Sequence, residues 1–326
     1  MWELCWFRAS VPRIAQALRR DFPSARVACF VFEIQVPPAL AYAFEVAGIT
    51  SVALQERLDA TVEHHAPFIV NTVLSASPYY SRKVLSSFAA AVHTAVPVGL
   101  WRTDLFLTVP PLIDFPQLGA ADDQPRKLVV ALPYRVNDSI HSQADPVSMS
   151  ASAMRSFLDS MIALAELRPD VFVVVRVKDD EWMALESLQS TIVTVERVQN
   201  MVIDRNYSTM NRSYHLCAAS SLVIGTYTSL IDEALTQDIP CLLHDFTENA
   251  SGLRRRIRPD YPASIVTLSR SELLDRASSI LNDNGAEFRS EWMPTREDHF
   301  GALNDGCVRE RSRGEIYRIL GSAAPR

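Results

Sequence analysis

The sequence predicts an α/β protein made of two Rossmann-like domains that face a cleft, with a shortened N-terminal domain. Apolar runs of strand length alternate with amphipathic helical segments in both halves. Runs such as VFVVVRVK at 171–178 are almost continuously apolar, which is typical of parallel strands buried on both faces. Residues 108–126 contain four prolines and little periodicity, and we interpret them as a linker. We therefore expect domains at 1–107 and 127–326.

Helices and strands alternate before the linker. A helix at 10–20 is predicted by Ser10 as its N-cap and Pro12 in its first turn. Gly48 is expected to end a helix at 37–48. The remaining predicted elements are strands at 26–32, 49–55 and 68–74 and a helix at 77–91. About 107 residues are short for such a domain, so we expect one strand–helix unit to be missing or replaced.

The alternation is more regular after the linker. Strands are predicted at 127–134, 171–178, 191–196, 201–203, 221–225, 239–244 and 264–268. Helices are predicted at 148–167, 208–219, 229–237, 270–282 and 306–320, and one more begins at DDEWMALESL. Ligands of open parallel sheets bind beyond the carboxyl ends of the strands. The segments that follow each strand are therefore the candidates for a site.

Composition narrows the classes of protein. The formal net charge is −6 and no lysine-rich run occurs, which disfavours nucleic-acid binding. One basic cluster occurs, and it is either a solvated loop or a contact with phosphates or an anionic membrane surface: Arg254, Arg255, Arg256 and Arg258. No apolar run approaches 18 residues, and the N-terminal segment does not resemble a signal peptide. We expect a cytoplasmic protein, with peripheral membrane contact through the arginines as the alternative to a solvated loop.

Cysteine and histidine usage predicts neither disulfides nor a metal site. The five cysteines have no CxxC spacing, and three of them lie in apolar patterns that suggest small core residues: Cys29, Cys217 and Cys241. The seven histidines show no HxxxH spacing and no pairing with cysteine. This pattern suits a reducing compartment and predicts no bound metal.

The stretch SSLVIGTYTSLIDEALTQDIP at 220–240 is the strongest candidate site. Gly225 would let the end of a strand turn sharply into a helix. Four consecutive hydroxyl residues follow where one helix cap would suffice, and they would donate to phosphate oxygens: Thr226, Tyr227, Thr228 and Ser229. Glu233, one turn into the helix, would accept from sugar hydroxyls. The alternative is an ordinary strand–helix junction whose acids complement the helix dipole.

Three further strand ends carry polar side chains. Arg176 and Lys178 point to one face and would bind phosphate, or else pair with Asp179, Asp180 or Glu181. Gln55 and Glu56 end another strand, where Glu56 would act as a general base or else pair with Arg57. Arg102 would contact an acceptor or a phosphate, or else pair with Asp104.

Together these segments resemble a known group of enzymes. GITSVALQE, PVGLWRTD, VVVRVKD and SSLVIGTYTSLIDEALTQDIPCLLHDF occur in the order seen in bacterial GT-B glycosyltransferases of surface-polysaccharide synthesis, including relatives of the CDP-glycerol glycerophosphotransferases. The resemblance covers about residues 40 to 320. It implies that residues 127–326 bind a nucleotide-activated donor and that residues 1–107 face a glycan or lipid-linked acceptor. It also implies no cofactor other than that substrate.

The resemblance assigns the candidate residues to two groups. Arg176, Lys178 and Glu233 match donor positions, as do the four hydroxyl residues at 226–229, while Gln55 and Glu56 match the acceptor side. Glu56 stands where many relatives carry histidine, so His64 and His65 are the substitute candidates for the base. A sugar-nucleotide epimerase of the same fold and a non-catalytic binding subunit are the alternative functions.

Overall fold

The computed structural model describes most of the chain. The described residues are 2–31, 37–56, 58, 68–87, 90–108, 110, 115, 126–134, 136, 149–177, 180–206, 211–226, 228–246 and 261–322. No helix within these ranges is long and apolar enough to cross a membrane. Several candidate residues lie outside these ranges: Arg57, His64, His65, Lys178, Asp179, Tyr227, Arg254, Arg255, Arg256 and Arg258.

The chain divides into two compact units. The first comprises Met1–Asp104 and Glu297–Arg326, and the second comprises Leu105–Arg296. The sequence led us to expect residues 127–326 as one domain, so the placement of the last segment differs from that expectation. The reason is packing, because Val308 and Ile319 of the last helix join a buried cluster of the first unit.

The first unit contains a four-stranded parallel sheet in the order β1-β2-β3-β4. Its strands are β1 (Val27–Val31), β2 (Thr50–Leu54), β3 (Phe68–Ser75) and β4 (Ala90–Pro97). Its helices are α1 (Trp2–Asp21), α2 (Pro38–Val46) and α3 (Pro78–Ser86), followed by a 3₁₀ turn at Trp101–Thr103 and, at the end of the chain, α11 (Val308–Ser322). Helix α4 (Asp104–Thr108) follows the 3₁₀ turn directly.

The first unit corrects three sequence-based expectations and contains one strand that was not predicted. Helix α1 begins at Trp2 and not at residue 10, so Pro12 lies inside it. Helix α3 ends at Ser86, and Ala90 and Ala91, which the sequence predicts at the end of this helix, begin β4 instead. Strand β4 was not predicted. It pairs along its length with β3, and a local sequence pattern does not show such a pairing. Cys29 is exposed in β1 and is not a core residue.

The second unit has the strand order of a Rossmann fold. Its six parallel strands lie in the order β10-β9-β8-β5-β6-β7. When β5 to β10 are renumbered 1 to 6 and the sheet is read from β7, this order is 3-2-1-4-5-6, the order of a Rossmann fold. They are β5 (Lys127–Leu132), β6 (Val171–Arg176), β7 (Met201–Asp204), β8 (Leu222–Gly225), β9 (Cys241–His244) and β10 (Val266–Thr267). The order reverses between β5 and β8, where such sheets bind ligands.

Helices connect these strands and cover the sheet. They are α5 (Ala151–Leu167), α6 (Gln189–Arg197), α7 (Arg212–Ala219), α8 (Ser229–Leu235), α9 (Arg270–Asn282) and α10 (Ala286–His299). Short 3₁₀ turns occur at Glu181–Ala184, Glu186–Leu188 and Ala263–Ile265. Ser150 caps α5 and Ser269 caps α9 through their side-chain oxygens, as the sequence predicts for Ser269.

The second unit also corrects the sequence-based reading. Residues 191–196 form part of helix α6 and not a strand, because Ile192 and Val195 stand three apart and bury the same helix face. DDEWMALESL contains 3₁₀ turns in place of the expected helix. Helix α10 was not predicted, and its mixed polar sequence with Pro294 inside explains the omission.

Candidate functional site

The switch point of the second sheet is built around Gly225. Gly225 ends β8 and stands opposite Leu132, the last residue of β5. A Cβ atom at this position would lie 2.7 Å from Ile231 Cδ1 and 3.2 Å from the carbonyl oxygen of Leu132. The close approach of helix α8 to the strand end therefore requires glycine here. The sequence-based reason for glycine was a sharp turn, but the φ angle of Gly225 is not positive.

The hydroxyl residues after Gly225 differ in their surroundings. Thr226 is only 1% exposed, and its N–H donates to the Leu132 carbonyl oxygen at 3.3 Å. Its side-chain oxygen is buried, and no residue that the structure describes forms a hydrogen bond with it. Thr228 caps α8 by accepting from the N–H of Leu230 at 3.4 Å, and Ser229 is the first helical residue. Thr226 thus brings an available hydroxyl to the switch point, where it would suit a ligand.

Glu233 lies one turn into α8 and contacts helix α7. Its Oε2 accepts a hydrogen bond of 2.6 Å from the Tyr214 hydroxyl, and Glu233 itself is 1% exposed. The neighbouring Asp232 makes a similar contact, in which Oδ1 accepts from the Tyr261 hydroxyl at 3.0 Å. The two acids of the motif are therefore held by two different tyrosines, and Tyr214 is a contact that the sequence reading did not include.

Arg176 takes part in a buried ion-pair cluster. Its Nη1 lies 3.4 Å from Asp204 Oδ2 and also donates to the carbonyl oxygen of Asn206 at 2.9 Å. Arg212 approaches the same carboxylate through Nε at 3.2 Å and Nη2 at 3.4 Å. The sequence offers Asp179, Asp180 and Glu181 as partners, of which Asp179 lies outside the described residues. The structure adds Asp204 from the end of β7. The neighbouring parallel strand, which the local sequence does not reveal, supplies it.

The first unit brings three predicted residues to one edge of its sheet. Gln55 Oε1 accepts from the N–H of Ala76 at 2.9 Å, which ties the end of β2 to the end of β3. The Glu56 carboxylate forms an ion pair with the guanidinium of Arg102. Glu56 follows β2 and Arg102 follows β4, so the pair spans the end of the strand between them. Neither residue was expected to be the partner of the other.

Asp104 has a different role from the one considered in the sequence. Its two carboxylate oxygens accept from the backbone N–H groups of Val308 at 3.2 Å and Arg309 at 2.9 Å, at the start of α11. We had weighed Asp104 as the partner of Arg102. The carboxylate instead satisfies N–H groups at a helix N-terminus more than 200 residues away, which is a tertiary contact.

A buried histidine lies beside the second sheet. His244 at the end of β9 is 2% exposed, and its ring nitrogens lie 3.1 Å from Thr267 Oγ1 and 3.3 Å from Ser160 Oγ. Burial lowers the pKa of His244 to about 4, although the adjacent Asp245 opposes this shift. His244 is therefore a neutral hydrogen-bonding group near pH 7. Across the described ranges, no three His, Cys, Asp or Glu side chains form a potential metal site.

Comparisons with known proteins show which solved structures share this architecture. No family model matches the chain, and no curated protein matches it. Among solved structures, S. aureus MnaA with UDP superposes with a TM-score of 0.61 at 13% identity over 97% of this chain and 81% of that one. The wall teichoic acid polymerase TagF gives 0.54 at 12% identity over 97% and 87%.

The chain has the GT-B fold. A UDP-GlcNAc 2-epimerase from Neisseria meningitidis, solved with UDP-GlcNAc, shares this fold with a TM-score of 0.57 at 12% identity, covering 97% of this chain and 81% of that one. The predicted fold class is thereby confirmed. At these identities the likeness concerns the fold, and the site residues named above remain predictions.

The sequence identified candidate site residues but not the side chains that contact them. Tyr214 contacts Glu233 and Asp204 contacts Arg176, while Arg212 binds the same Asp204 carboxylate, yet none of the three stood out by composition. Asp204 gave one usable signal, because it directly follows the strand predicted at 201–203 and so lies at a strand end, as Arg176 does. Tyr214 gave none, since a tyrosine in a helix pattern is most often a core residue.

Proposed function

We propose that this protein is a glycosyltransferase of cell-surface polysaccharide synthesis that moves a sugar, or an alditol phosphate, from a nucleotide-activated donor to a glycan or lipid-linked acceptor. The observation that carries the proposal is the switch point of the second sheet, where Thr226 presents a buried hydroxyl beside the polar first turns of α8. Ligands of doubly wound sheets bind at such a point. The resemblance of the motifs to GT-B transferases supports the same donor class.

The donor would be held by groups of the second unit. The hydroxyls of Thr226, Thr228 and Ser229 would donate to the phosphates, with Tyr227 and Lys178 assigned by resemblance alone. Glu233 would accept from the ribose hydroxyls. Arg176 is assigned to the phosphates by the same resemblance, and its bonds to Asp204 and Asn206 give it a fixed position from which to act electrostatically.

The reaction would need a leaving group and a base. In sugar transfer, the bond from the anomeric carbon to the phosphate oxygen breaks and a nucleoside diphosphate leaves, while the acceptor hydroxyl bonds to that carbon. Glu56 would take the proton of this hydroxyl. Alditol-phosphate transfer would instead break the diphosphate and release a nucleoside monophosphate. Gln55 and Arg102 would position the acceptor or a phosphate, and Arg102 would also orient Glu56 through their ion pair.

Epimerisation of a sugar nucleotide is the second candidate. It is favoured by the neighbours themselves, since UDP-GlcNAc 2-epimerases superpose with TM-scores of 0.56 to 0.60. Such a reaction needs no acceptor. A binding subunit without turnover is the alternative outside enzymes.

Turnover of a nucleotide-sugar panel, with and without acceptor extract, separates these functions. We expect product only when acceptor is present. Product without acceptor would establish the epimerase in its place, and binding of UDP or CDP without any product would establish the binding subunit. The panel should include CDP-glycerol, and its products should be separated by mass, so that sugar and alditol-phosphate transfer are distinguished.

The proposed mechanism uses helix N–H groups, hydroxyls and cations where other transferases use a divalent ion. We therefore expect activity to persist in EDTA. Loss of activity in EDTA that Mg²⁺ or Mn²⁺ restores would contradict this part of the proposal.

Flotation with anionic vesicles tests the proposed membrane contact of Arg254, Arg255, Arg256 and Arg258, which should be lost when all four are replaced by serine.

A further inference from the structure

Tyr214 occupies a position from which it controls one carboxylate of the candidate site. It lies in the first turn of α7, and its hydroxyl donates to Glu233 Oε2 at 2.6 Å. Distances of this length are typical of a hydroxyl bonded to an ionised carboxylate. The contact joins α7, which precedes β8 in the chain, to α8, which follows β8, so it is a tertiary contact and not a local cap.

The tyrosine is itself held on two sides. The ring of Phe106, a buried residue of α4, meets the Tyr214 ring edge-on with centroids 5.1 Å apart. The first turn of α7 is fixed by Arg212, whose guanidinium binds both oxygens of Asp204 on β7. The ring therefore has little freedom, and the hydroxyl presents its hydrogen bond from a defined place.

We propose that Tyr214 is a positioning residue that orients the Glu233 carboxylate towards the hydroxyls of a nucleotide ribose, and so sets a preference for ribonucleotides over deoxyribonucleotides. This inference rests on the proposed function, in which Glu233 accepts from those hydroxyls. A carboxylate that has lost its fixed donor rotates and accepts from the ligand less well. The preference for ribose is then reduced, while contacts to the phosphates are unaffected.

Helix α8 offers a matched control. Asp232 precedes Glu233 in the chain, and its Oδ1 accepts from the Tyr261 hydroxyl at 3.0 Å. Tyr261 is buried and packs edge-on against Trp292, with centroids 5.0 Å apart. Tyr261→Phe therefore removes the same chemical bond, a phenol on a carboxylate of the same helix, without touching Glu233.

The test is calorimetric titration of UDP against 2′-deoxy-UDP, and of CDP against 2′-deoxy-CDP. We expect the wild type to prefer the ribonucleotide by about 10- to 100-fold, the value of one hydrogen bond to a charged group. Tyr214→Phe should reduce this ratio to below about threefold, and Tyr261→Phe should leave it unchanged. Glu233→Gln should abolish the ratio, and adding Tyr214→Phe to it should change nothing further, because the two residues act as one unit.

The contradicting results are distinct. An unchanged ratio in Tyr214→Phe, or an equal loss of affinity for both sugars, would show that the contact only ties α7 to α8. That would overturn the positioning role while leaving the proposed function intact. A wild type that binds UDP and CDP without preferring ribose would overturn the role of Glu233 and this inference together. A wild type that binds neither diphosphate would overturn the proposed function as well.

Discussion

Gly225→Ala tests the geometry of the candidate site, because the added Cβ has nowhere to go. It would stand 2.7 Å from Ile231 Cδ1 and 3.2 Å from the Leu132 carbonyl oxygen, both closer than ordinary contacts. Ile231 is fully buried on the inner face of α8, so its side chain cannot swing into solvent. Overpacking of this kind costs about 1–3 kcal/mol. The start of α8 must move away from β5, and it carries Thr228 and Ser229 with it.

We expect two measurable consequences of this substitution. The midpoint of thermal unfolding should fall, and the affinity for UDP or CDP in calorimetry should fall roughly tenfold, which corresponds to about 1.4 kcal/mol. Gly314→Ala is the matched control, because a Cβ there meets nothing within 4 Å in the interior of α11. That variant should gain about 0.5–1 kcal/mol of stability and keep its affinity.

A second substitution identifies the cause. Ile231→Val removes only Cδ1, the atom that the new Cβ would touch, so adding it to Gly225→Ala should restore part of the stability and part of the affinity. Ile231→Val alone should cost about 0.5–1.5 kcal/mol as an ordinary core truncation. A Gly225→Ala variant with wild-type stability and wild-type affinity would refute the reasoning, as would a double variant that is worse than the sum of its parts.

Three further predictions concern other parts of the molecule. If Glu56 is the base, Glu56→Gln should lower kcat by about 10²–10⁴-fold while donor binding stays intact, and Arg102→Gln should lower kcat by a smaller factor. Equal losses of kcat in the two variants would mean that only their ion pair matters. Burial opposes protonation of His244 in the folded state, so its contribution to the free energy of unfolding should be fully present above pH 6.5 and should decrease by about 3 kcal/mol as the pH falls towards 4. His244→Gln should lack this part of the pH dependence, and an identical pH profile would contradict the assignment. Asp104→Ala should destabilise the first unit by about 1–2 kcal/mol by removing the acceptor for two N–H groups of α11, and an Asp104→Ala variant that unfolds like the wild type would count against this role.

Sequence reasoning reached the fold class and the elements with strong local signals. Strands β5, β6 and β8 and helix α9 lie within one or two residues of their predicted positions, because continuous apolar runs and a serine cap define them locally. The segment 191–196 shows the limit. Its β-branched residues favoured a strand, but burial of Ile192 and Val195 on one helix face prevailed.

The site shows the same division between local and tertiary information. Gly225 and a hydroxyl cap follow from a strand that turns into a helix, so the sequence identified the glycine and narrowed the cap to Thr228 or Ser229, of which Thr228 is the cap. The partners of Glu233, Glu56 and Arg176 come from 19, 46 and 28 residues away in sequence (Tyr214, Arg102 and Asp204). Only the arrangement of the strands brings them together, and no local pattern predicts such a pairing.

The central claim is that a nucleoside diphosphate binds at the switch point beside Gly225, and Thr226→Val tests it most directly. Valine keeps the shape of threonine and removes a buried hydroxyl that no described residue bonds. Without ligand, the variant should be as stable as the wild type or more stable, because a buried polar group without a partner costs about 1–3 kcal/mol. In calorimetric titration with UDP and CDP, we predict that its affinity falls about five- to tenfold, the value of one hydrogen bond. Affinity equal to that of the wild type would contradict the claim that the ligand binds here.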